Sequence, residues 1–302
     1  MFDLFTTILP VFILIGIGAL SKILKISDDN WITVMNNYAF NLGFPAIIFS
    51  SLIKLNKSTI NYDIMIYNSL ILVVLMTLIF FLTKIFKMDE ETRNCYIICS
   101  LFGNVAYVGI PFINSILQNE AGNLSIIVAS YTLVMFTLGL AILEFSKYKK
   151  IKPVELIKNI IKNPFIISIF FATIVLQLNI ALPMIIIKSI DMLASGASSV
   201  VLLALGIFLV KPIKLNKNTV HATILSVLKL IILPIVFILI RNIFFKDLDF
   251  SSTIIEAGMP GAVTLFVLSQ KYKMNKNIVV EMIIISTVLS IITLPILTSF
   301  LL

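Results

Sequence analysis

Hydrophobic residues along this chain fall into ten long runs, separated by short polar or basic connections. Each run has roughly the 20 residues that a helix needs to cross the hydrocarbon core of a bilayer. The pattern therefore predicts ten membrane-spanning helices, at about residues 4–23, 31–53, 64–83, 94–118, 124–143, 164–182, 184–209, 220–240, 252–272 and 278–301.

Two of these runs carry helix-breaking residues near their middle. The fourth contains Gly-Asn-Val-Ala-Tyr-Val-Gly-Ile-Pro at 103–111, and the ninth contains Glu-Ala-Gly-Met-Pro-Gly at 256–261. Glycine lowers helix stability, and proline removes a backbone hydrogen bond and clashes with the preceding turn. A bilayer tolerates a broken helix only where protein or a water-filled cavity satisfies the freed backbone groups, so paired breaks point to a transporter's binding site.

Composition and charge place the whole chain in the membrane. Of its 302 residues, 59% are hydrophobic and 13% are charged, which is far from the composition of soluble domains. The net charge of +8 comes from basic residues concentrated at 22–25, 84–93, 147–162, 211–217 and 271–276, on every second connection. By the positive-inside rule this distribution predicts a multi-pass plasma-membrane protein with both termini outside, and it removes the need for a nucleic-acid partner.

The basic segment at 147–163 divides the chain into two parts with five runs each, at 1–146 and 164–302. Because five is odd, the second part enters the membrane in the opposite orientation. Pro10 and Pro164, and Gly103 and Gly258, recur at nearly the same offset. We therefore predict an all-α membrane protein built from two inverted repeats, joined by a cytoplasmic connection, with broken helices four and nine crossing near the midplane.

Several polar residues in or near the two breaks are candidates for a site. Glu256 could bind a cation or exchange a proton, or it could only hold freed backbone N–H groups. Lys229, at mid-depth in the eighth run, could attract an anion or pair with Glu256. Asn104 could cap or coordinate at its break, and Pro260 is expected to begin the second half of the ninth helix.

The two interrupted motifs, together with Phe44-Pro45-Ala46 in the second run, resemble the auxin efflux carrier family over essentially the whole chain. The short central connection is similar to that of bacterial members, which include malate and malonate permeases. The resemblance implies a scaffold domain and a transport domain, anion binding beside crossing helices, and a homodimer formed through the scaffold. A more distant similarity to bile acid:sodium symporters implies sodium near Asn104 and Glu256, with Ser130 and Thr132 as helpers.

These arguments predict a secondary active transporter of small organic anions, either dicarboxylates or auxin-like carboxylates, with no cofactor. The expected partners are the bilayer, a carboxylate substrate and a coupling Na⁺ or H⁺. A membrane sensor that binds without flux is the alternative, and no arrangement of nucleophile, base or metal ligands favours an enzyme. The residues predicted to contact substrate are Asn41, Asn104, Tyr107, Pro111, Lys229, Met259, Pro260 and Gly261, and those predicted to serve the coupling ion are Asn104, Ser130, Thr132 and Glu256.

Overall fold

The computed structural model is all-helical in the residues that it describes, which are 2–54, 62–117, 121–148, 153–210, 216–246 and 248–301. Up to the predicted central connection, the helices are α1 (Phe2–Ile23), α2 (29–53), α3 (Tyr62–Ile85), α4 (Glu90–Cys99), α5 (Val105–Ile116) and α6 (121–148). They continue with α7 (Pro153–Ile161), α8 (Pro164–Gln177), α9 (Met184–Leu209), α10 (Lys217–Phe244), α11 (Ser251–Ala257), α12 (Thr264–Lys271) and α13 (Lys276–Leu301).

Five of the described helices are long and apolar enough to cross a membrane, as expected for a multi-pass membrane protein. They are Asp63–Ile85, Asn123–Tyr148, Met184–Leu209, Lys217–Phe244 and Lys276–Leu301. Three shorter apolar helices accompany them, at Leu9–Ile23, Val105–Ile116 and Pro164–Gln177. The predicted interruption of the fourth and ninth runs is confirmed, because α4 is separate from α5 and α11 is separate from α12.

In the part of the chain that the structure describes, four helices contain a π-helical turn, and three of these turns lie just before a proline. The turn Ala39–Gly43 precedes Pro45, Val105–Gly109 precedes Pro111, and Leu228–Ile232 precedes Pro234. A proline inside a helix lacks the N–H of its turn and clashes with the carbonyl group four residues earlier. A wider turn at this place removes the clash and lets the helix continue, which is why Pro45 and Pro111 lie in the first turn of a continuing α-helical segment.

Polar side chains begin the helices on one face of the protein. Asp28, Asp89, Asn163 and Asn216 each accept hydrogen bonds from backbone N–H groups in the first turn of α2, α4, α8 and α10. Such N-caps satisfy donors that the helix itself leaves unpaired. All four caps lie in the basic connections, so this face of the protein combines the excess positive charge with well-defined helix starts.

The helices pack into two groups. In the first, α1 lies along α9, α2 lies along α8, and α9 also crosses α2. In the second, α3 packs on α6, α10 packs on α13, and both halves of the broken helices lie among them. Close approach in the first group depends on small residues, as is common where membrane helices cross.

Gly206 on α9 lies directly against the backbone of α1, and replacing it by alanine tests this packing. The added Cβ atom would collide with the carbonyl oxygen of Ile15 and lie 2.7 Å from the amide nitrogen of Ala19, where neither backbone can easily move. We expect Gly206→Ala to cost about 1–3 kcal/mol of stability, as overpacking usually does. The measurement is the midpoint of thermal unfolding in detergent.

Gly16→Ala is the matched control, because nothing lies within 4 Å of a Cβ atom built at Gly16. It should leave the midpoint unchanged or raise it slightly, since alanine favours a helix over glycine. Equal midpoints for Gly206→Ala and Gly16→Ala would contradict the close crossing of α1 and α9.

Candidate functional site

The two broken helices meet at their breaks, where the backbones run antiparallel to each other. Gly103 pairs with Gly261, and the Asn104 backbone N–H donates a 2.6 Å hydrogen bond to the carbonyl oxygen of Pro260. Each break thus satisfies a polar backbone group that the other leaves free, as the interior of a membrane requires. The crossing of the two broken helices, α4–α5 and α11–α12, is therefore stabilised by a hydrogen bond between their main chains.

Asn104 caps the start of α5, the second half of the broken helix in the fourth predicted run. Its Oδ1 accepts a 3.2 Å hydrogen bond from the Tyr107 backbone N–H, so it is the N-cap of α5, as predicted. Its Nδ2 is buried and has no hydrogen-bond partner in the described part of the chain. An unpaired buried amide of this kind costs about 1–3 kcal/mol, which a ligand that accepts its hydrogen bond would recover.

In the ninth predicted run, the second helical segment, α12, begins later than the sequence predicts. The expectation that Pro260 begins its second half is wrong, because α12 begins at Thr264 and Pro260 lies within the break. The proline lacks an N–H group but keeps its carbonyl oxygen, and this oxygen is the acceptor for Asn104. Gly261 donates its N–H to the Ser286 hydroxyl at 2.9 Å, so the break is also anchored to α13.

Two glycines of the first motif make room for two charged side chains. A Cβ atom at Gly103 would lie 2.7 Å from Cε of Lys229 and 2.9 Å from its Nζ. A Cβ atom at Gly109 would collide with both carboxylate oxygens of Glu256. The segment between these glycines therefore lies against the lysine at one end and the glutamate at the other, and a Cβ atom at Gly103 would also lie 2.9 Å from the Met259 carbonyl oxygen.

Lys229 and Glu256 are completely buried, but they do not form a direct ion pair. The Lys229 ammonium donates a 2.5 Å hydrogen bond to the carbonyl oxygen of Ala257, at the end of α11. The two charges interact electrostatically, while neither carboxylate oxygen of Glu256 has a hydrogen-bond partner in the described residues. A charge at the centre of a membrane helix costs about 2.5–3.5 kcal/mol on insertion scales, so two opposite charges at the break partly offset each other's cost.

A cavity of about 350 Å³ ends at the crossing. Its wall is largely aromatic and apolar, with a few amides and hydroxyls, and is formed by Asn36, Asn37, Phe40, Phe102, Gly103, Asn104, Val105, Ala106, Tyr107, Tyr131, Thr132, Met135, Phe136, Phe165, Ala262, Val263, Thr264, Leu265 and Leu268. These positions belong to the first half of α2, the two breaks, the start of α5, the middle of α6, the start of α8 and the first turns of α12. The cavity consequently lies on the side of the crossing that carries the basic connections.

A family model described as "Membrane transport protein" matches residues 3–298 of this chain. The chain belongs to this family. The resemblance to auxin efflux carriers is thereby confirmed at the level of the family, and the protein is a transport protein and not an enzyme.

Two archaeal relatives support membership of the membrane transport family. The chain is 25% identical over 298 residues to an uncharacterised transporter of Methanocaldococcus jannaschii, and the match covers 95% of each chain. It is also 25% identical over 298 residues to an uncharacterised transporter of Methanothermobacter thermautotrophicus, covering 96% of this chain and 95% of the relative.

The cavity of this transport-family member brings together three of the residues predicted from the sequence, namely Asn104, Tyr107 and Thr132. Met259, Pro260 and Gly261 form the break next to it, and Pro111 lies in the first turn of the α-helical part of α5. Lys229 and Glu256 lie at the crossing without lining the cavity.

Two predicted residues lie elsewhere. Asn41 is exposed, and its side-chain amide donates to the Asn37 carbonyl oxygen at 2.9 Å. Ser130 is buried between α3 and α6, where its hydroxyl donates to Ile127 and accepts from the Asn68 amide.

The sequence argument missed several polar residues of the cavity. Asn36 and Asn37 lie one turn before Asn41, and Tyr131 lies between Ser130 and Thr132. The Tyr131 hydroxyl has no hydrogen-bond partner in the described residues. The sequence offered the same signal for these three residues as for the predicted site residues, because each is a polar side chain within an apolar run.

Removing one charge at the crossing should destabilise the protein more than removing both. We expect Lys229→Met or Glu256→Gln alone to cost about 3–5 kcal/mol, because each leaves a buried charge without its opposite. The double variant should cost clearly less than the sum of the two. Thermal unfolding of the four proteins measures this coupling.

The exposed pair Lys54 and Asp191 is the matched control. Their side chains are 55% and 40% exposed and lie 2.7 Å apart. The same cycle with Lys54→Met and Asp191→Asn should give a coupling of about 1 kcal/mol or less. Additive effects at Lys229 and Glu256 would contradict an energetic link between the two buried charges.

Proposed function

We propose that this protein is a secondary active transporter of small organic anions, which works by alternating access around the two crossed helices. The observation that carries the proposal is the cavity of about 350 Å³ that ends at the crossing. Ligand sites in proteins are mostly apolar clefts of about 300–1,000 Å³ with a few placed polar groups, and this cavity has that size and character. Binding at the point where two broken helices meet is also the arrangement of many secondary transporters.

The proposed architecture is ten spans in two inverted repeats, with both termini outside the plasma membrane. Helix contacts support this architecture, because they occur in corresponding pairs. The first span (α1) packs on the seventh (α9), and the sixth span (α8) packs on the second (α2). Likewise, the third span (α3) packs on the fifth (α6) as the eighth (α10) packs on the tenth (α13). Shifting each span number by five converts one contact into the other, which is what an inverted repeat requires.

The two packing groups suggest which parts move. Helices α1, α2, α8 and α9 would form the scaffold, through which a homodimer would assemble, and the crossed helices would move with α3, α6, α10 and α13. The cavity lies between the groups, since Asn36 and Phe165 come from the first and Asn104 and Thr264 from the second. With the basic connections inside, the cavity opens to the cytoplasm.

The chemistry of the cavity wall favours a carboxylate with an apolar or aromatic body. Among the described residues that line it, none is Lys, Arg, Asp or Glu. The buried Nδ2 of Asn104 supplies a donor for one carboxylate, and the N-terminal end of α12 supplies a positive helix end. A second carboxylate, as in malate or malonate, would meet only uncharged amides and hydroxyls among the described lining residues, with no cation to balance its charge.

Counterflow in proteoliposomes tests this substrate class. We expect indole-3-acetate and phenylacetate to exchange faster than malate, malonate or succinate. Asn104→Ala should lower the rate about 10–100-fold, because a hydrogen bond to a charged group is lost. Asn277→Ala, which changes an exposed asparagine in the first turn of α13, is the control and should transport normally.

Faster exchange of the dicarboxylates would overturn the proposed substrate class. Binding of the aromatic acids, detected as a thermal shift, without counterflow of any anion would favour the membrane sensor over the transporter.

The direction in which the cavity opens can be tested with single cysteines. Thr264 is exposed at the start of α12, whereas Thr253 on α11 is completely buried on the other side of the break. A membrane-impermeant maleimide should label Thr264→Cys from the cytoplasmic side and leave Thr253→Cys unlabelled. The native Cys95 and Cys99 are both buried and provide a low background.

Transported substrate should slow the labelling of Thr264→Cys. Reaction of this variant only from the outside would contradict the proposed orientation of the cavity.

A further inference from the structure

The C-terminal end of α11 contacts a cationic group of the protein itself, the ammonium group of Lys229. The backbone oxygen of Ala257, the last residue of this half-helix, accepts the 2.5 Å hydrogen bond from Nζ of Lys229. The C-terminal end of a helix has unpaired carbonyl groups and a partial negative charge, which favour a cation. In a broken membrane helix, this end is where a coupling sodium ion would otherwise be coordinated.

The fold provides the space for Lys229 to reach this position. The residue lies in the π-helical turn Leu228–Ile232 of α10, and its side chain is completely buried. Gly103 on the other broken helix leaves room for the end of the side chain, since a Cβ atom there would lie 2.7 Å from Cε. Both broken helices thus accommodate the lysine, one with a carbonyl acceptor and one with a glycine.

Two of the four residues that the resemblance to sodium symporters implies already use their side-chain oxygens in hydrogen bonds within the protein. Oδ1 of Asn104 accepts from the Tyr107 N–H at 3.2 Å, and the Ser130 hydroxyl is bonded to Ile127 and Asn68. Thr132 lines the cavity, while Glu256 lies beyond it against Gly109. A hard cation needs several convergent oxygens, and these residues do not present such a set.

We propose that the Lys229 ammonium replaces the coupling sodium ion, so that the crossing carries its own tethered cation and the transport cycle does not use sodium. Glu256, which lies against Gly109 at the other end of the broken segment, is the opposite charge that this cation balances. The inference rests on the proposed function, because coupling has meaning only for a transporter.

Sodium-specific stabilisation tests the inference without any flux. The purified protein is unfolded thermally in about 300 mM sodium chloride and in the same concentration of N-methyl-D-glucamine chloride. Wild type should unfold at the same temperature in both salts. Lys229→Ser, which frees the Ala257 oxygen and adds a hydroxyl, should gain about 3 °C or more in sodium alone.

Two further variants separate the role of Lys229 from general effects of charge. Lys188→Ser removes an exposed lysine from α9 and should show no sodium-specific shift. Lys229→Arg keeps a cation at the carbonyl end and should also show none. If Lys229→Ser does not fold, the unfolding midpoints of wild type and Lys229→Arg in the two salts still test the inference.

A sodium-specific shift in wild type, or equal midpoints for folded Lys229→Ser in the two salts, would overturn the inference. Once counterflow has identified a substrate, wild-type exchange should also be equal in the two salts, and exchange that requires sodium would overturn it as well. Absence of exchange with every anion would count against the proposed function alone, because the thermal measurement does not depend on transport.

Discussion

The hydrogen bond from the Asn104 N–H to the Pro260 carbonyl oxygen is the contact on which the centre of this protein depends. Each of the two helices that it joins is interrupted where lipid offers no partner for a free N–H or C=O group. Either break alone would leave polar backbone exposed to hydrocarbon, at a cost of several kcal/mol. Together they form a short antiparallel pair, so the two interruptions stabilise each other and must occur at the same depth.

The crossing determines where the two charged side chains next to it can lie. Gly103 and Gly109 lie on the same broken segment, and the missing side chain of each admits one charge, Lys229 at the first and Glu256 at the second. Lysine then bonds to the end of α11, while the glutamate keeps unpaired oxygens in the described structure. A site arranged in this way retains polar groups that would lower their free energy by binding or moving, which suits a member of a transport family better than a rigid structural core.

The cavity has a different character from the crossing that closes it. Its wall is aromatic and apolar, and its polar groups are amides and hydroxyls, whereas Lys229 and Glu256 lie at the crossing and do not line the cavity. Phe44 stacks on Tyr107 with ring centroids 4.8 Å apart, which fixes the aromatic ring that lies next to the Asn104 cap. Under the proposed function, substrate selection and charge balance are therefore carried by separate sets of residues.

Sequence alone determined the membrane location, several of the long apolar helices and the two interruptions, because hydropathy and the helix-breaking effects of glycine and proline are local properties. The cap formed by Asn104 was predictable for the same reason, since it involves residues three positions apart. Tertiary structure alone decided which partner each freed or buried group finds. Pro260 became an acceptor within the break, Ser130 a partner of Asn68, and Lys229 a donor to Ala257, through contacts between residues far apart in the chain. No spacing along one helix encodes such contacts, because they depend on how separate helices meet in three dimensions.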